Sequence, residues 1–317
     1  MLIVQPIHEA GVARLVAAGL TVRHASSSDM RVVREEIGDA VAVITRSAGL
    51  TSAVIDAATR LRVIGNHGSG LDAIDLEAAA RKGVRVVRTP GANAKAVAEM
   101  TVALMLATLK RVCDGDRAAR TGDDDFKYRV RIGDLTGATV GIVGMGHIGR
   151  AVAAMLHHAF DVRLLVHTRT PDPVELARWD AEASGLNELA ERSDVVSLHR
   201  PASVDGRALI DTAFLARMKA SAVLINTARG SLVDEDALAT ALREGRIAGA
   251  GLDVVRGDRL DRASPLASAP NVVLSPHVAG SSVGALRRTA EAVADEVVAS
   301  LASWPDDGAS GPDVVSG

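Results

Sequence analysis

TVGIVGMGHIGR, residues 139–150, decides how the rest of the chain is read. Its Val/Gly/Ile run predicts a buried strand. That strand passes straight into Gly144-Met145-Gly146-His147-Ile148-Gly149 and then into AVAAMLHHA, a helical pattern. A G-x-G-x-x-G by itself is a weak signal in an Ala/Gly-rich chain, but between a strand and a helix it predicts a dinucleotide-binding turn. The first glycine makes the tight turn, the second lets the backbone approach a pyrophosphate, and the third lets the helix pack closely on the strand. The helix N-terminus adds oriented N–H groups and the positive end of its dipole. The side chain of His147 is expected to point away from the phosphates.

About twenty residues on, the second strand of such a unit should end in an Asp or Glu that holds the ribose 2′-hydroxyl of NAD. Here the second strand pattern, VRLLVH (162–167), ends in Thr168-Arg169-Thr170, and Asp172 follows only after a Thr-Pro step, in an expected loop. A carboxylate at the strand end would repel a 2′-phosphate, whereas a hydroxyl followed by a guanidinium would bind one. The reading therefore favours NADP(H), with NAD(H) as the alternative.

Outward from this unit, short β-branched runs alternate with helical patterns along the chain. The runs at 2–7, 40–45, 61–66 and 84–89 form one series, and those at 139–144, 162–167, 194–199, 221–226, 247–253 and 271–276 form a second. Such alternation predicts parallel sheets with helices on both faces, here in two α/β domains. The polar, Gly-punctuated stretch 121–137 is expected to be a surface connection between the two series. A long helix is expected from Asn93 to about Arg111. A last one, at 282–301, could cross back onto the first domain, and the tail WPDDGASGPDVVSG (304–317) is expected to be frayed.

Composition narrows the class further. Hydrophobic residues make up 48% of the 317 residues and aromatics 2%, so the core must be aliphatic. A formal net charge of −3, with Arg interleaved among Asp and Glu, lacks the clustered basic face of a nucleic-acid-binding protein. The one cysteine, Cys113, permits no internal disulfide and is expected to be a buried structural thiol. No His/Cys/Asp cluster has ligand spacing, so no metal is implied. No signal-peptide pattern or membrane span is read, and a soluble, cytoplasmic protein is expected.

Three strand ends then fall into line: INTARGSLVDEDAL (225–238), GAGLDVVRGDRL (249–260) and LSPHVAGSS (274–282). Together with HGSGLDAIDLEAAARKGVRVVRTPGANAKAVAE (67–99), they resemble the D-isomer-specific 2-hydroxyacid dehydrogenase family, from about Arg46 to Leu301. The resemblance implies a Rossmann-type doubly wound nucleotide-binding domain (95–284). It also implies a discontinuous, flavodoxin-like α/β substrate domain (1–94 and 285–317), with a cleft between the two.

For the site, the resemblance implies that Arg229 clamps the substrate carboxylate and adjacent keto oxygen. The backbone N–H groups of Gly68-Ser69-Gly70 would bind the same carboxylate, and Arg46 is a further substrate-side cation. His277 would protonate the ketone oxygen as hydride arrives, with an acidic partner keeping its proton available near neutral pH. Asp253 would touch the nicotinamide carboxamide. The backbone of Gly144–Gly149 would line the cofactor with Thr168, Arg169, Thr170, His199, Arg200, Pro201, Thr227, Ala228, His277, Ala279 and Gly280. The resemblance also implies a homodimer through the nucleotide-binding domain.

Three positions depart from the family pattern: Asp258, Thr168, which stands where the family's acid ends the second nucleotide-binding strand, and Arg200, where many members carry a small or apolar residue. The family's usual histidine partner is a glutamate, matched here by Asp258, one methylene shorter, with Asp261 a less suitable substitute. Phosphoglycerate dehydrogenases often carry an arginine where this chain has Asn66. The leading reading is an NADP(H)-dependent reductase of glyoxylate or hydroxypyruvate. The alternatives are an NAD-dependent D-2-hydroxyacid, phosphoglycerate-like dehydrogenase, and, in another class, an NAD(P)(H)-sensing corepressor-like scaffold.

Overall fold

A computed structural model of the chain describes residues 1–203 and 205–304 and the backbone of 315–316. The chain folds as two compact units, Met1–Asn93 with Ser281–Gly317, and Ala94–Gly280. The first begins with β1 (Leu2–Ile3), α1 (Glu9–Ala17), β2 (Arg23–His24), α2 (Met30–Ile37), β3 (Ala42–Thr45), α3 (Ser52–Ala57), β4 (Val63–Asn66), α4 (Leu76–Arg81) and β5 (Arg85–Val87). The second opens with α5 (Ala94–Leu109), α6 (Val112–Thr121) and the four-residue α7 (Phe126–Arg129). Its sheet region runs β6 (Thr139–Val143), α8 (His147–Ala159), β7 (Arg163–His167), α9 (Pro173–Arg178), β8 (Ala181–Ala183), α10 (Leu186–Arg192) and β9 (Val195–Leu198). It continues with α11 (Thr212–Arg217), β10 (Val223–Asn226), α12 (Glu235–Arg243), β11 (Gly249–Leu252) and β12 (Val272–Leu274). The chain then returns to the first unit as α13 (Val283–Ala302) and β13 (Val315–Ser316).

Both sheets are parallel throughout. In the second unit the order is β8-β7-β6-β9-β10-β11-β12, the doubly wound order whose switch point lies between β6 and β9. In the first it is β2-β1-β3-β4-β5, with β13 paired outside β5, the flavodoxin-like order. The central strands AVIT, VIGN, VVSL and VLIN are buried at every position, as strands covered on both faces must be. Aliphatic clusters fill each face, with Leu104, Met105, Val152 and Leu156 on one side of the second sheet and Leu189, Phe214, Leu238 and Leu242 on the other.

The returning helix completes the first unit: Val293, Ala294 and Val297 of α13 pack with Ile3, Ile44 and Val63. The approach of α13 to α1 is close enough that a Cβ at Gly11 would lie 2.5 Å from the carbonyl oxygen of Ala290.

All ten strand patterns read from the sequence are present, each shorter than the pattern. The two-residue β2, the three-residue β8 and the two-residue β13, which lies in the tail expected to be frayed, have no counterpart among those patterns, because edge strands this short carry no period. Other readings are corrected. Segment 121–137 lies inside the second unit but is not merely a surface connection. It includes α7 and buries Leu135, although Tyr128 stays 78% exposed. Cys113 is exposed, not buried. Arg111, at φ +55, ends the long helix and starts α6 in a new direction, leaving Cys113 in the first turn of α6. Asp172 lies in the loop before α9, as read, and from there caps the helix with its side chain. Of the tail, residues 305–314 and 317 lie outside the described residues. Among the described residues, no helix is long and apolar enough to cross a membrane.

Candidate active site

The Gly144–Gly149 turn sits at the C-terminal edge of β6, beside the switch point, where open α/β sheets bind ligands. Gly144 has φ +102, and a Cβ there would come within 2.5 Å of the His199 carbonyl oxygen. A Cβ on Gly149 would lie 2.1 Å from Gly144 O, so the helix can start this close to the strand only with glycine at that place. At Gly146, by contrast, nothing lies within 4 Å of where a Cβ would be. Gly146 is also the N-cap of α8 and makes no side-chain cap, so the first N–H groups of a thirteen-residue helix face open space. That cradle fits a dinucleotide pyrophosphate in shape and in charge. Met145 is buried in the core, Ile148 is half-buried and His147 is exposed.

At the end of β7, Thr168 is half-buried, and Arg169 and Thr170 are exposed. Arg169 makes no hydrogen bond or ion pair among the described residues. The next acid along the chain is committed elsewhere: Asp172 Oδ1 accepts from Val174 N at 2.9 Å to cap α9. His199, at the end of β9, is buried. Its Nε2 pairs with Ser197 Oγ at 2.8 Å, while its Nδ1 has no partner. Burial pushes its pKa down to about 3, so the ring is neutral. Arg200 is half-buried and Pro201 exposed.

Two buried polar residues not singled out from the sequence shape the next strand end. Thr101 of α5 donates to Val97 O at 2.8 Å, so its 2.9 Å hydrogen bond with Thr227 runs from the Thr227 hydroxyl. Asn226 accepts from Ala228 N at 3.0 Å and donates to Arg229 O at 2.8 Å, tying down the turn that carries Arg229. Its place at the end of a strand, just before Thr-Ala-Arg, was the available signal. Arg229 itself is half-buried and donates to Ala228 O at 2.7 Å.

His277 and Asp258 come together: Nδ1 lies 3.2 Å from Asp258 Oδ1. Both residues have left-handed backbones, φ +54 and φ +58, and Gly257 just before Asp258 is left-handed as well. Asp, Asn and His tolerate that region better than other side chains do. The two successive left-handed residues turn the short aspartate arm toward the imidazole. Asp261 is engaged otherwise, accepting from Ala263 N. Asp253, buried at the end of β11, holds the turn that carries His277, and its carboxylate accepts from Ser275, Val278 and Ala279.

In the first unit, the ends of β3 and β4 bring Arg46 and His67 side by side, with His67 N donating to Thr45 O at 2.8 Å. Arg46 is half-buried, donates to Pro6 O at 2.9 Å and makes no ion pair among the described residues. Burial, followed by the charge of Arg46, pushes the pKa of His67 down to about 4, and its Nε2 has no partner. Buried Asn66 donates to Gly70 O at 2.7 Å and, with Gly68 N on Asn66 O at 2.8 Å, shapes the Gly68-Ser69-Gly70 loop. Among the described residues, no group of three or more His, Cys, Asp or Glu is placed to hold a metal ion.

A doubly wound sheet with a glycine cradle at its switch point, together with Arg, acid and His at successive strand ends, defines a dinucleotide-dependent α/β enzyme. Comparison with known proteins narrows that class. The NAD binding domain of the D-isomer specific 2-hydroxyacid dehydrogenases matches residues 102–279. The glyoxylate reductase of Thermofilum pendens is 42% identical over 258 residues, 78% of this chain and 74% of that protein. The D-3-phosphoglycerate dehydrogenase of Methanocaldococcus jannaschii is 35% identical over 304 residues, 94% of this chain and 56% of that one. Among solved structures, an NADPH-dependent glyoxylate/hydroxypyruvate reductase from Sinorhizobium meliloti, in complex with citrate, superposes with a TM-score of 0.80. It is 32% identical and matches over 95% of this chain and 94% of that one. The chain belongs to the D-isomer specific 2-hydroxyacid dehydrogenases and is an NAD(P)-dependent oxidoreductase.

Proposed function

We propose that this protein reduces a small 2-oxoacid, glyoxylate or hydroxypyruvate, to the corresponding 2-hydroxyacid with NADPH. The observation that carries the cofactor choice is the end of β7. Thr168 and Arg169, which has no partner among the described residues, stand where an acid would select NAD, and Asp172 is spent on a helix cap. Arg200, half-buried at the end of β9, adds positive charge on the same side of the reading. Relatives named glyoxylate reductases support the substrate class.

When bound, a nicotinamide dinucleotide supplies the hydride, and the chain's own residues do the rest. Arg229 offers a planar fork of donors to the carboxylate and the keto oxygen. The N–H groups of Gly68, Ser69 and Gly70 are the donors that the first unit would offer to a substrate carboxylate. His277, as imidazolium, gives Nδ1–H to Asp258 and so has Nε2–H for the ketone oxygen. Proton and hydride together turn C=O into CH–OH, and the histidine leaves neutral. In the oxidative direction it takes the proton back.

Initial rates with NADPH and NADH, on glyoxylate and on hydroxypyruvate, test the reading. NADPH is expected to win, and Arg169→Asp to reverse the preference. Equal or better rates with NADH would instead favour the phosphoglycerate-like dehydrogenase, for which the half-buried Arg46, with no ion pair among the described residues, offers a site for a second anionic group. A homodimer through the second unit is part of the proposal, supported by the exposed Val112, Tyr128 and Ile132 around α6 and α7.

A further inference from the structure

A proton donor must be held in one place, yet His277 is 41% exposed in its side chain and sits on a left-handed backbone. Its backbone N donates to Ser275 O at 3.1 Å, and Asp253 makes the remaining bonds of the turn. The Asp253 carbonyl accepts from His277 N at 2.8 Å. Its carboxylate reaches around the same turn: Oδ1 accepts from Ser275 Oγ at 2.6 Å and from Val278 N at 2.9 Å, and Oδ2 accepts from Ala279 N at 2.9 Å. Four hydrogen bonds to Asp253 thus bracket His277 on both sides. Asp253 is 1% exposed and pairs with no Lys, Arg or His among the described residues. A buried carboxylate of that kind is compensated by donors aimed at it, here two amides and a hydroxyl. The Oδ1 lone pairs are both taken, which leaves one acceptor direction on Oδ2.

We infer that Asp253 and Ser275 are positioning residues for His277, holding the left-handed turn that sets its Nδ1 against Asp258. The inference rests on the reading of His277 as the proton donor. It assigns Asp253 to the turn before any group of the cofactor, and it brings in Ser275, whose hydroxyl donates to Asp253.

The test compares kcat for ketoacid reduction with the NADPH dissociation constant from fluorescence titration in wild type, Ser275→Ala, Ser275→Thr and Asp253→Asn. His277→Ala serves as the control. Ser275→Ala is expected to lower kcat about tenfold while leaving NADPH binding within about twofold, and Ser275→Thr, which keeps the hydroxyl, to restore it. Asp253→Asn is expected to cost about a hundredfold, as a displacement near 1 Å can. If Ser275→Ala turns over like wild type while His277→Ala is dead, the positioning role is wrong and the reading of His277 stands. If Asp253→Asn acts only by weakening NADPH binding, Asp253 serves the cofactor instead. If His277→Ala is as active as wild type, both readings fall.

Discussion

Asp258 stands where the family's glutamate is expected, and the backbone makes up for the missing methylene: φ +74 at Gly257 and φ +58 at Asp258 carry the carboxylate to 3.2 Å from His277. A longer side chain has no need of that turn, so Asp258→Glu is expected to lower kcat several-fold rather than improve it. Asp258→Asn, which keeps the length and removes the charge, is expected to lose more. Steady-state kcat for both variants checks the order. Buried His199 and half-buried His67 give the protein an acid dependence. Both His67, at about 4, and His199, at about 3, lie below the ordinary 6.5, so the folded chain binds fewer protons than the unfolded one. Their stabilising neutrality is fully present above pH 6.5 and is lost as pH falls toward 4. Each is expected to cost about 2 kcal/mol between pH 7 and pH 5. Urea unfolding at the two pH values should show that loss, and His67→Gln should remove about half of it.

At the scale of elements, α3 ends on a lysine from elsewhere. Lys82 Nζ, just past α4, donates to Ile55 O and Asp56 O at 3.0 Å and to Ala58 O at 2.6 Å, satisfying carbonyls that a helix end leaves open. Lys82→Met is expected to cost about 1 kcal/mol, read from the urea midpoint. The α1–α13 approach is less forgiving. Gly11→Val would put side-chain carbon where the Ala290 carbonyl lies, and an overpacking loss of about 1–3 kcal/mol is expected in thermal melts. Helix starts were easier to read than helix ends. Asp29, Asp75, Asp211 and Asp234 cap α2, α4, α11 and α12 with their own side chains, a signal local to the sequence. The break at Arg111, which turned Cys113 outward, has no such marker.

Across the whole molecule, each unit has its own aliphatic clusters, but only the second is continuous in sequence. A polypeptide of residues 94–280 is expected to unfold cooperatively by circular dichroism and to quench on adding NADPH. A chain cut after residue 280 loses Val293, Ala294 and Val297 from the face of the first sheet and is expected to aggregate. Light scattering of the full protein is expected to give about twice 32.8 kDa.

The sequence by itself determined what depends on near neighbours. The strand runs, the glycine spacing at 144–149 and the absent acid at Thr168 are legible because period and turn chemistry act over a few residues. Arg229 and His277 could be named as site residues, from spacing and resemblance. Only the tertiary structure decided what depends on distant parts of the chain. It set the strand orders and packed α13 on the first sheet. It brought Asp258 to His277 and wrapped the 275–279 turn around the carboxylate of Asp253. These follow from packing and from hydrogen bonds between residues far apart in sequence. A left-handed backbone at Asp258 or His277 is held by its surroundings, and no local pattern announces it.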